Sequence, residues 1–280
     1  MEKLDVKNLY LEITRDCTLE CIHCYRGEKE DKYLSFAVID KVFSGVEKIH
    51  KLLITGGEPF LALEQLKRIA YNIQKNDIKI DRITIVTNGT VLSNEIINLI
   101  AYFSSISYVE LDISSDKFHE IELEKLGLLK RKQRNVATLS ELFSVEELIP
   151  TRYPKVIHKL GRAINLTDED LHYINNLGDV QTKYVLSFDE ELEKMRAKYR
   201  ELSFDGSSVN GYLYIDVNGN IVPAYASFKE EDENVYSSLE GKTLVKAIRD
   251  IKIINWQLFR KDIYLLHKCD DGCGKPRAVY

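Results

Sequence analysis

Short apolar segments alternate with amphipathic helical segments over the first 132 residues, and this alternation restricts the fold more than any other feature of the sequence. The predicted strands lie at 8–14, 51–55, 82–87 and 107–113, and the predicted helices at 36–49, 61–74, 93–103 and 116–132. Residues 136–139 and 155–160 also carry strand patterns. Strands that alternate with helices form parallel βαβ units with right-handed crossovers. The first half is therefore predicted to be an α/β barrel or a doubly wound sheet.

Beyond about residue 165 the alternation stops. Two segments, 212–217 and 220–223, flank Asn218-Gly219, and Asn-Gly supplies the positive φ angles that a tight hairpin turn favours. The helices predicted for this half lie at 168–177, 189–200, 243–254 and 256–267. We therefore predict two parts, a barrel core at 1–165 and a smaller extension at 166–280 that contains a β-hairpin.

Charge and hydropathy exclude several classes of partner. The chain has 39 Lys and Arg against 44 Asp and Glu, a net charge of −5, whereas nucleic-acid binding needs a clustered positive surface. No segment reaches the roughly 18 apolar residues of a membrane span, and residues 1–13 lack the apolar core of a signal peptide. We expect a cytoplasmic protein that binds neither nucleic acid nor membrane.

The five cysteines form two groups. Cys17, Cys21 and Cys24 follow the first predicted strand, and Cys269 and Cys273 lie near the end of the sequence. Few cysteines in a long chain do not make a secreted disulfide framework, so the groups indicate metal or redox chemistry. Thiolates are the ligands of iron–sulfur clusters, and three of them can hold three irons of a 4Fe–4S cube while the fourth iron stays open. A structural zinc site, which needs four ligands, and a chance group of buried thiols are the alternatives.

Three short polar motifs follow the next three predicted strands. They are Gly56-Gly57-Glu58-Pro59, Thr87-Asn88-Gly89, and Ser114 within Asp112–Asp116. Each motif taken alone is typical of an ordinary turn. The carboxyl ends of parallel strands are nevertheless where α/β barrels and doubly wound sheets bind their ligands. We therefore expect the three motifs to lie near the cysteine group.

In combination, Cys17-x3-Cys21-x-His23-Cys24, Gly56–Pro59 and Thr87–Gly89 resemble the radical S-adenosylmethionine (SAM) superfamily. The resemblance covers about residues 8–165 and implies a partial (β/α)6 TIM-like barrel. It also implies one 4Fe–4S cluster on Cys17, Cys21 and Cys24, with SAM bound to the open iron through its amino and carboxylate groups. The expected fold class is therefore α/β, a partial barrel followed by a small hairpin and helices.

The resemblance further assigns SAM-binding roles to His23, Gly56, Gly57, Glu58, Pro59, Asn88 and Ser114. The two glycines are expected to let the backbone approach the methionine moiety without a Cβ clash. Glu58 is expected to place its carboxylate near the ammonium group, where a charge-assisted hydrogen bond is strong. Ser114 is expected to contact the ribose.

The second half resembles a subgroup with a SPASM or twitch extension, which usually carries auxiliary iron–sulfur clusters. Ser208 and Ala224 stand where that subgroup has cysteines. Two thiolates alone do not build a 4Fe–4S cluster, so we predict that the extension keeps its fold and lacks the cluster. Cys269 and Cys273 are open to four interpretations: surface thiols, a redox pair, zinc ligands shared across a dimer, or a hydrogen-atom donor to a substrate radical.

These resemblances predict an enzyme that reductively cleaves SAM to a 5′-deoxyadenosyl radical and abstracts a hydrogen atom from a substrate. A peptide is the first substrate hypothesis, and a sugar, nucleotide or amino acid is the alternative. A non-catalytic iron–sulfur or zinc protein that senses redox state or acts as a scaffold is the alternative of another class. The expected partners are an external electron donor such as flavodoxin or ferredoxin and a separate peptide-recognition protein.

Overall fold

A computed structural model describes residues 3–21, 24, 26–91, 93–114, 203–222 and 235–251, which form one sheet with helices against it. The strands are β1 (Leu4–Glu12), β2 (Val46–Thr55), β3 (Lys79–Thr87), β4 (Tyr108–Ile113), β5 (Ser203–Asp205), β6 (Ser208–Ile215), β7 (Asn220–Val222) and β8 (Ser237–Ser238). The helices are α1 (Phe36–Ser44), α2 (Leu63–Lys75), α3 (Asn94–Ile106) and α4 (244–251), with a 3₁₀ turn at Pro59–Leu61.

The strand order is β4-β3-β2-β1-β6-β7-β8, with β5 paired to β6. The first four strands run parallel in sequence order, which confirms the predicted α/β class. Strand β6 also pairs parallel to β1, on the edge opposite β2, and β7 and β8 continue the sheet in antiparallel pairs. Strand β1 is therefore an inner strand whose two neighbours come from opposite halves of the sequence.

One face of the sheet packs into the hydrophobic core. Leu9 aligns with Leu52 on β2 and with Leu213 on β6, and Leu52 aligns with Ile83 on β3. These residues belong to one buried cluster with Phe43 of α1, Leu66 of α2 and Phe103 of α3. Many of the residues between them along the strands, which point to the other face, are polar or aromatic: Asn8, Tyr10, Lys51, Arg82, Glu110 and Tyr212. The core therefore lies between the sheet and the helices.

Helix α1 is shorter than the predicted 36–49. It ends at Ser44, and Gly45 closes it with a backbone hydrogen bond from its N–H to the carbonyl of Val42 at 3.1 Å. Residues 46–49 belong to β2, because Val46 already pairs with Leu4 of β1. A Cβ on Gly45 would lie 3.0 Å from the Cβ of Leu244, so α4 also packs tightly at this corner. The apolar residues at 46 and 49 fit a helical and a strand pattern equally well.

The other element boundaries differ less. Strands β1 and β3 begin four and three residues earlier than predicted, and α2 begins two residues later, after the 3₁₀ turn. The predicted N-caps are confirmed: Ser35 accepts from the N–H of Val38 at 3.3 Å, and Ser93 from that of Ile96 at 3.2 Å. The remaining predicted elements lie outside the described residues, at 116–132, 136–139, 155–160, 168–177, 189–200 and 256–267.

The predicted hairpin is confirmed as β6 and β7, but its turn has a different geometry. Only Gly219 has a positive φ, +82°, and Asn218 does not. The Asp216 carboxylate accepts from the backbone N–H groups of Asn218 at 2.9 Å and Asn220 at 2.7 Å, and the Gly219 N–H donates to the Asp216 carbonyl at 2.9 Å. The turn is therefore a longer one, organised by an aspartate side chain and a single left-handed glycine.

Across the ranges described above, none of the helices is both long enough and apolar enough to cross a membrane.

Candidate functional site

Four loops meet at the carboxyl edge of the parallel strands. The cysteine loop follows β1, Gly56–Pro59 follows β2, Thr87–Gly89 follows β3, and Ser114 follows β4. Neighbouring parallel strands end at the same edge, and the Ser114 N–H donates to the Thr87 carbonyl at 2.8 Å. The structure thus brings together the motifs that the sequence places more than 90 residues apart.

The cysteine loop is closed at its base by backbone pairing. Thr14 and Tyr33 form an antiparallel bridge, the Leu34 N–H donates to the Ile13 carbonyl at 2.9 Å, and the Arg15 N–H donates to the Lys32 carbonyl at 2.9 Å. Residues 16–29 therefore leave the sheet and return to it at the same place. Tyr33 also donates its hydroxyl to Asp16 at 2.7 Å, which raises the pKa of Tyr33 to about 12.

Cys17, Cys21 and Cys24 are partly exposed cysteines on this loop, and none of them forms a disulfide. Burial raises the pKa of Cys17, a hydrogen bond from the Leu19 N–H at 3.4 Å lowers it, and the negative charges of Glu58, Cys21 and Cys24 raise it further. Glu58, Cys21 and Cys24 therefore lie near enough to Cys17 for their charges to act on its thiol. Thiolates are the required donors, and bound irons would keep them deprotonated.

Among the residues that the structure describes, no three His, Cys, Asp or Glu side chains are arranged to hold one ion. A structural zinc site needs four ligands, whereas three thiolates are the donor set of a 4Fe–4S cube with one open iron. Cys17, Cys21 and Cys24, three cysteines on one loop, supply that donor set.

Gly56 and Gly57 pack against the first turn of the cysteine loop. The N–H groups of Gly57 and Glu58 donate to the carbonyls of Thr14 and Asp16, both at 2.8 Å. A Cβ on Gly56 would lie 2.4 Å from the Thr14 carbonyl oxygen, and one on Gly57 would lie 2.2 Å from that of Asp16. We expected these glycines to make room for the methionine moiety. In the structure, the backbone that they accommodate is that of the cysteine loop.

The side chain of Glu58 points inward and is fully buried. Its Oε1 accepts from the Phe60 N–H at 3.0 Å and the Thr87 hydroxyl at 2.7 Å, and its Oε2 accepts from the Asn88 N–H at 2.7 Å. The carboxylate thus joins the loops that follow β2 and β3, and its expected contact with the SAM ammonium group stays a prediction. Pro59 begins the 3₁₀ turn, where a missing N–H costs nothing.

Asn88 is buried and contacts the cysteine loop directly. Its Nδ2 donates to the Cys17 Sγ at 3.6 Å and to the Thr18 hydroxyl at 3.1 Å, and its Oδ1 accepts from the Thr90 N–H at 2.9 Å. Asn88 is predicted to bind SAM, and its contact with a predicted cluster ligand could not be seen from the sequence. The loop after β3 therefore supports the cysteine loop at Cys17 and Thr18, next to the residues that the glycine motif contacts.

The remaining predicted site residues are distributed as follows. Ser114 is half-buried at the end of β4. Ser208, which stands where the subgroup has a cysteine, begins β6 and pairs with Asp5. His23, Ala224, Cys269 and Cys273 lie outside the described residues.

Sequence analysis also missed three charged residues that are buried beside the cysteine loop, namely Glu12, Arg15 and Arg26. The signal was present: an acidic residue ends an otherwise apolar strand, and an arginine lies two positions before Cys17 and two after Cys24. Such positions are also compatible with exposed loop residues, so only the structure reveals the burial.

Residues 11–144 match the family model of the radical SAM superfamily. Over these residues, the chain carries a radical SAM superfamily domain. The matched range begins in β1 and includes the cysteine loop and the motifs after β2, β3 and β4. The part of the prediction that concerns the superfamily is thereby confirmed.

Curated relatives of the radical SAM domain carry the names of enzymes and of a cofactor-modifying protein. One is the S-adenosylmethionine-dependent nucleotide dehydratase of Psychrobacter lutiphocae, 23% identical over 56% of this chain and 57% of the relative's length. Another is the tungsten-containing aldehyde ferredoxin oxidoreductase cofactor-modifying protein of Pyrococcus furiosus, 24% identical over 95% of this chain and 87% of its own. This chain thus spans little more than half of the dehydratase and most of the second relative.

Among solved structures, this chain is similar to Streptococcus suis SuiB bound to the precursor peptide SuiA. The alignment covers 86% of this chain and 64% of the SuiB chain, with a TM-score of 0.49 and 15% sequence identity.

Proposed function

We propose that this protein is a radical SAM enzyme whose cluster is held by Cys17, Cys21 and Cys24. The observation that carries the proposal is that three cysteines, none of them in a disulfide, lie on one loop that both the Gly56–Pro59 and the Thr87–Gly89 motifs contact. When bound, the cluster supplies the electron that cleaves SAM to a 5′-deoxyadenosyl radical, which takes a hydrogen atom from the substrate.

The chain's own residues orient the loop and the cosubstrate. We keep His23, Gly56, Gly57, Pro59, Asn88 and Ser114 as the residues proposed to surround SAM. Glu58 takes a different role in this proposal, since its buried hydrogen bonds fix the distance between the loops after β2 and β3. It would therefore support SAM binding through the backbone that it holds, not through a direct contact.

The first test is anaerobic reconstitution with iron and sulfide, followed by dithionite and SAM. We expect about four irons per chain, the content of one cube, and release of 5′-deoxyadenosine. The alternative of a non-catalytic redox sensor or scaffold predicts the cluster without 5′-deoxyadenosine. An iron content near eight would instead show that the extension holds an auxiliary cluster.

For the substrate, we propose a peptide. Support comes from the hairpin β6–β7, whose sequence resembles the SPASM or twitch subgroup. A small molecule is the second candidate, because the relative from Psychrobacter lutiphocae is named for a nucleotide substrate. The two candidates separate by dialysis of a cell extract. If the substrate is a peptide, the fraction that a dialysis membrane impermeable to peptides retains should stimulate release of 5′-deoxyadenosine. If the substrate is a nucleotide or a sugar, the dialysate should stimulate that release instead.

The proposed partners follow from the chemistry. A one-electron donor such as flavodoxin or ferredoxin would reduce the cluster, and a separate protein would present a peptide substrate. We place the reaction in the cytoplasm, because a reducing compartment keeps thiols such as Cys17 free for iron.

Cys269 and Cys273 remain proposed hydrogen-atom donors for a redox-neutral reaction such as epimerisation. The test is replacement of each by Ala. A donor variant should still release 5′-deoxyadenosine yet form no product, whereas an inert surface thiol can be replaced without loss of product.

A further inference from the structure

Three buried charged residues lie at the base of the cysteine loop, and we refer to Glu12, Arg15 and Arg26 together as the Glu12 cluster. Glu12 is fully buried, and Arg15 and Arg26 are 5% and 8% exposed. The Arg26 guanidinium donates to Glu12 Oε1 at 3.1 Å, and the Arg15 Nε lies 3.8 Å from Glu12 Oε2. One carboxylate at the end of β1 therefore faces two arginines.

The two arginines belong to the two ends of the cysteine loop. Arg15 precedes Cys17 by two residues, and Arg26 follows Cys24 by two residues. Arg15 also donates to the Glu30 carboxylate at 3.0 Å, on the segment that returns to the sheet. The Glu12 cluster thus joins both flanks of the three cysteines to the same point of β1.

The same cluster contacts the hairpin of the second half. Glu12 Oε2 accepts from the Val217 N–H, in the turn between β6 and β7, at 3.2 Å. The Arg26 guanidinium carbon lies 5.0 Å from the ring centre of Tyr214, a residue of β6 that is 3% exposed. Arg26 is consequently bound on one side by a carboxylate of β1 and on the other by an aromatic face of β6.

A buried charge cluster of this kind is expensive to assemble. Removing charges from water costs several kcal/mol per ion, and apolar side chains of the same volume would often stabilise the fold as well or better. Buried ionic groups do, however, hold one arrangement in place, because each charge needs its partner in a fixed geometry. In this protein the fixed arrangement consists of the cysteine loop, the end of β1 and the β6–β7 hairpin.

We propose that Glu12 and Arg26 are positioning residues for the cysteine loop, and that Tyr214 and the Val217 backbone extend this support to the β6–β7 hairpin. The hairpin would thereby orient the primary cluster, a task separate from the auxiliary cluster that such extensions usually hold. This inference rests on the proposed function, since it requires that the loop binds a 4Fe–4S cluster.

The test compares Arg26→Met, Arg26→Lys and Tyr214→Leu with the wild type after reconstitution. The readouts are the rate of iron loss to a chelator and the electron paramagnetic resonance spectrum of the reduced cluster with and without SAM. Loss of a residue that orients a ligand typically costs 10–100-fold in metal affinity, so we expect about tenfold faster iron loss for Arg26→Met. Tyr214→Leu should change both readouts in the same direction by a smaller factor, and Arg26→Lys should recover part of the loss.

Arg68→Met and Tyr71→Leu are the matched controls. Arg68 likewise pairs with a carboxylate, Asp40, at 2.7 Å, and lies 5.2 Å from the Tyr71 ring, but both residues are on α2 and outside the site. These controls should lose iron at the wild-type rate and keep the wild-type spectrum. An effect of losing any contact of an arginine with a carboxylate and an aromatic ring would instead appear in both sets of variants.

Two results would overturn the inference. Folded Arg26→Met and Tyr214→Leu proteins with wild-type iron loss and spectra would do so directly. If Arg26→Met does not fold, Tyr214→Leu and Arg26→Lys decide the question, and wild-type behaviour of both refutes the inference. Failure of the wild type itself to bind about four irons would refute the proposed function, and this inference with it.

Discussion

Strand β1 has two parallel neighbours, β2 and β6, and the connections at their carboxyl ends are built in opposite ways. On the β2 side, the polar groups contact each other across loops, as Glu58 does with Asn88 and Asn88 with Cys17. On the β6 side, Asp216 satisfies the N–H groups of its own turn. On the β2 side, the conformation of each loop therefore depends on its neighbours. On the β6 side, Asp216 orders the turn, and the Val217 N–H of that turn is available to support Glu12 below the cysteine loop.

The strongest test of this difference removes the thiols. We expect the triple variant Cys17→Ala, Cys21→Ala, Cys24→Ala to bind no iron after reconstitution, against about four per chain in the wild type, and to release no 5′-deoxyadenosine. Because the hydrogen bonds of the β6–β7 turn involve none of the three thiols, the far-ultraviolet circular dichroism should remain that of the apo wild type. Residual four-iron binding would contradict the assignment of the cluster to this loop.

Replacement of a glycine by alanine should destabilise the protein more on the β2 side than on the β6 side. In Gly57→Ala the new Cβ would meet the Asp16 carbonyl, which is backbone and cannot move without opening the loop. We expect a loss of about 3 kcal/mol in the free energy of unfolding, together with a lower iron content. Urea titration of the apo protein and iron analysis measure the two effects, and wild-type values for both would show that the loops are not packed as described.

Glu58→Gln tests the link between the loops after β2 and β3. In the glutamine, an NH₂ group replaces one of the two carboxylate oxygens of residue 58. This NH₂ group would then face a group that also donates, either the Asn88 N–H or the Phe60 N–H and the Thr87 hydroxyl. Leaving such a buried group unsatisfied should destabilise the protein by about 1–3 kcal/mol and weaken SAM binding as the loops separate. The exposed Glu64→Gln on α2 is the control. Weaker SAM binding with unchanged stability would favour a direct contact between Glu58 and SAM instead.

Gly219→Ala is the counterpart on the β6 side. A left-handed φ of +82° costs an alanine about 1–2 kcal/mol, and the added Cβ would lie 2.7 Å from a methyl group of Val38, a side chain. We expect a decrease of this size in the free energy of unfolding, with about four irons still bound by the folded variant. Loss of iron without loss of stability would mean that the turn contributes directly to the site.

The smallest expected effect is a pH dependence at the base of the cysteine loop. Because the folded state raises the pKa of Tyr33 from 10.0 to about 12, the hydrogen bond to Asp16 stabilises the fold fully below pH 10 and is lost as the pH rises towards 12. Tyr33→Phe should be less stable by at most about 1 kcal/mol below pH 10, and the difference should vanish near pH 12. A difference that persists at pH 12 would assign the effect to packing.

Much of this arrangement could be predicted because it depends on local patterns. The strand–helix alternation predicted the parallel order of β1 to β4, and the motifs at the strand ends predicted the edge where the loops meet. The end of α1 could not be predicted, since Val46 and Ile49 suit a helix and a strand alike. The inward orientation of Glu58 depends on Thr87 and Asn88, which are 29 and 30 residues away, and no local pattern carries that information.

The pairing of β1 with β6 also has a consequence for the order in which the protein matures. Asn8 donates to the carbonyl of Gly211, 203 positions later in the sequence, so β1 leaves the ribosome long before its second neighbour exists. Until then the nascent chain has the cysteine loop but not the hairpin that contacts Glu12 and Arg26. Contacts of such high sequence separation form late, because closing a long loop costs entropy before any contact compensates for it. We therefore expect that a chain stalled after β4 acquires its cluster poorly, and that stable iron insertion follows release of the hairpin from the ribosome.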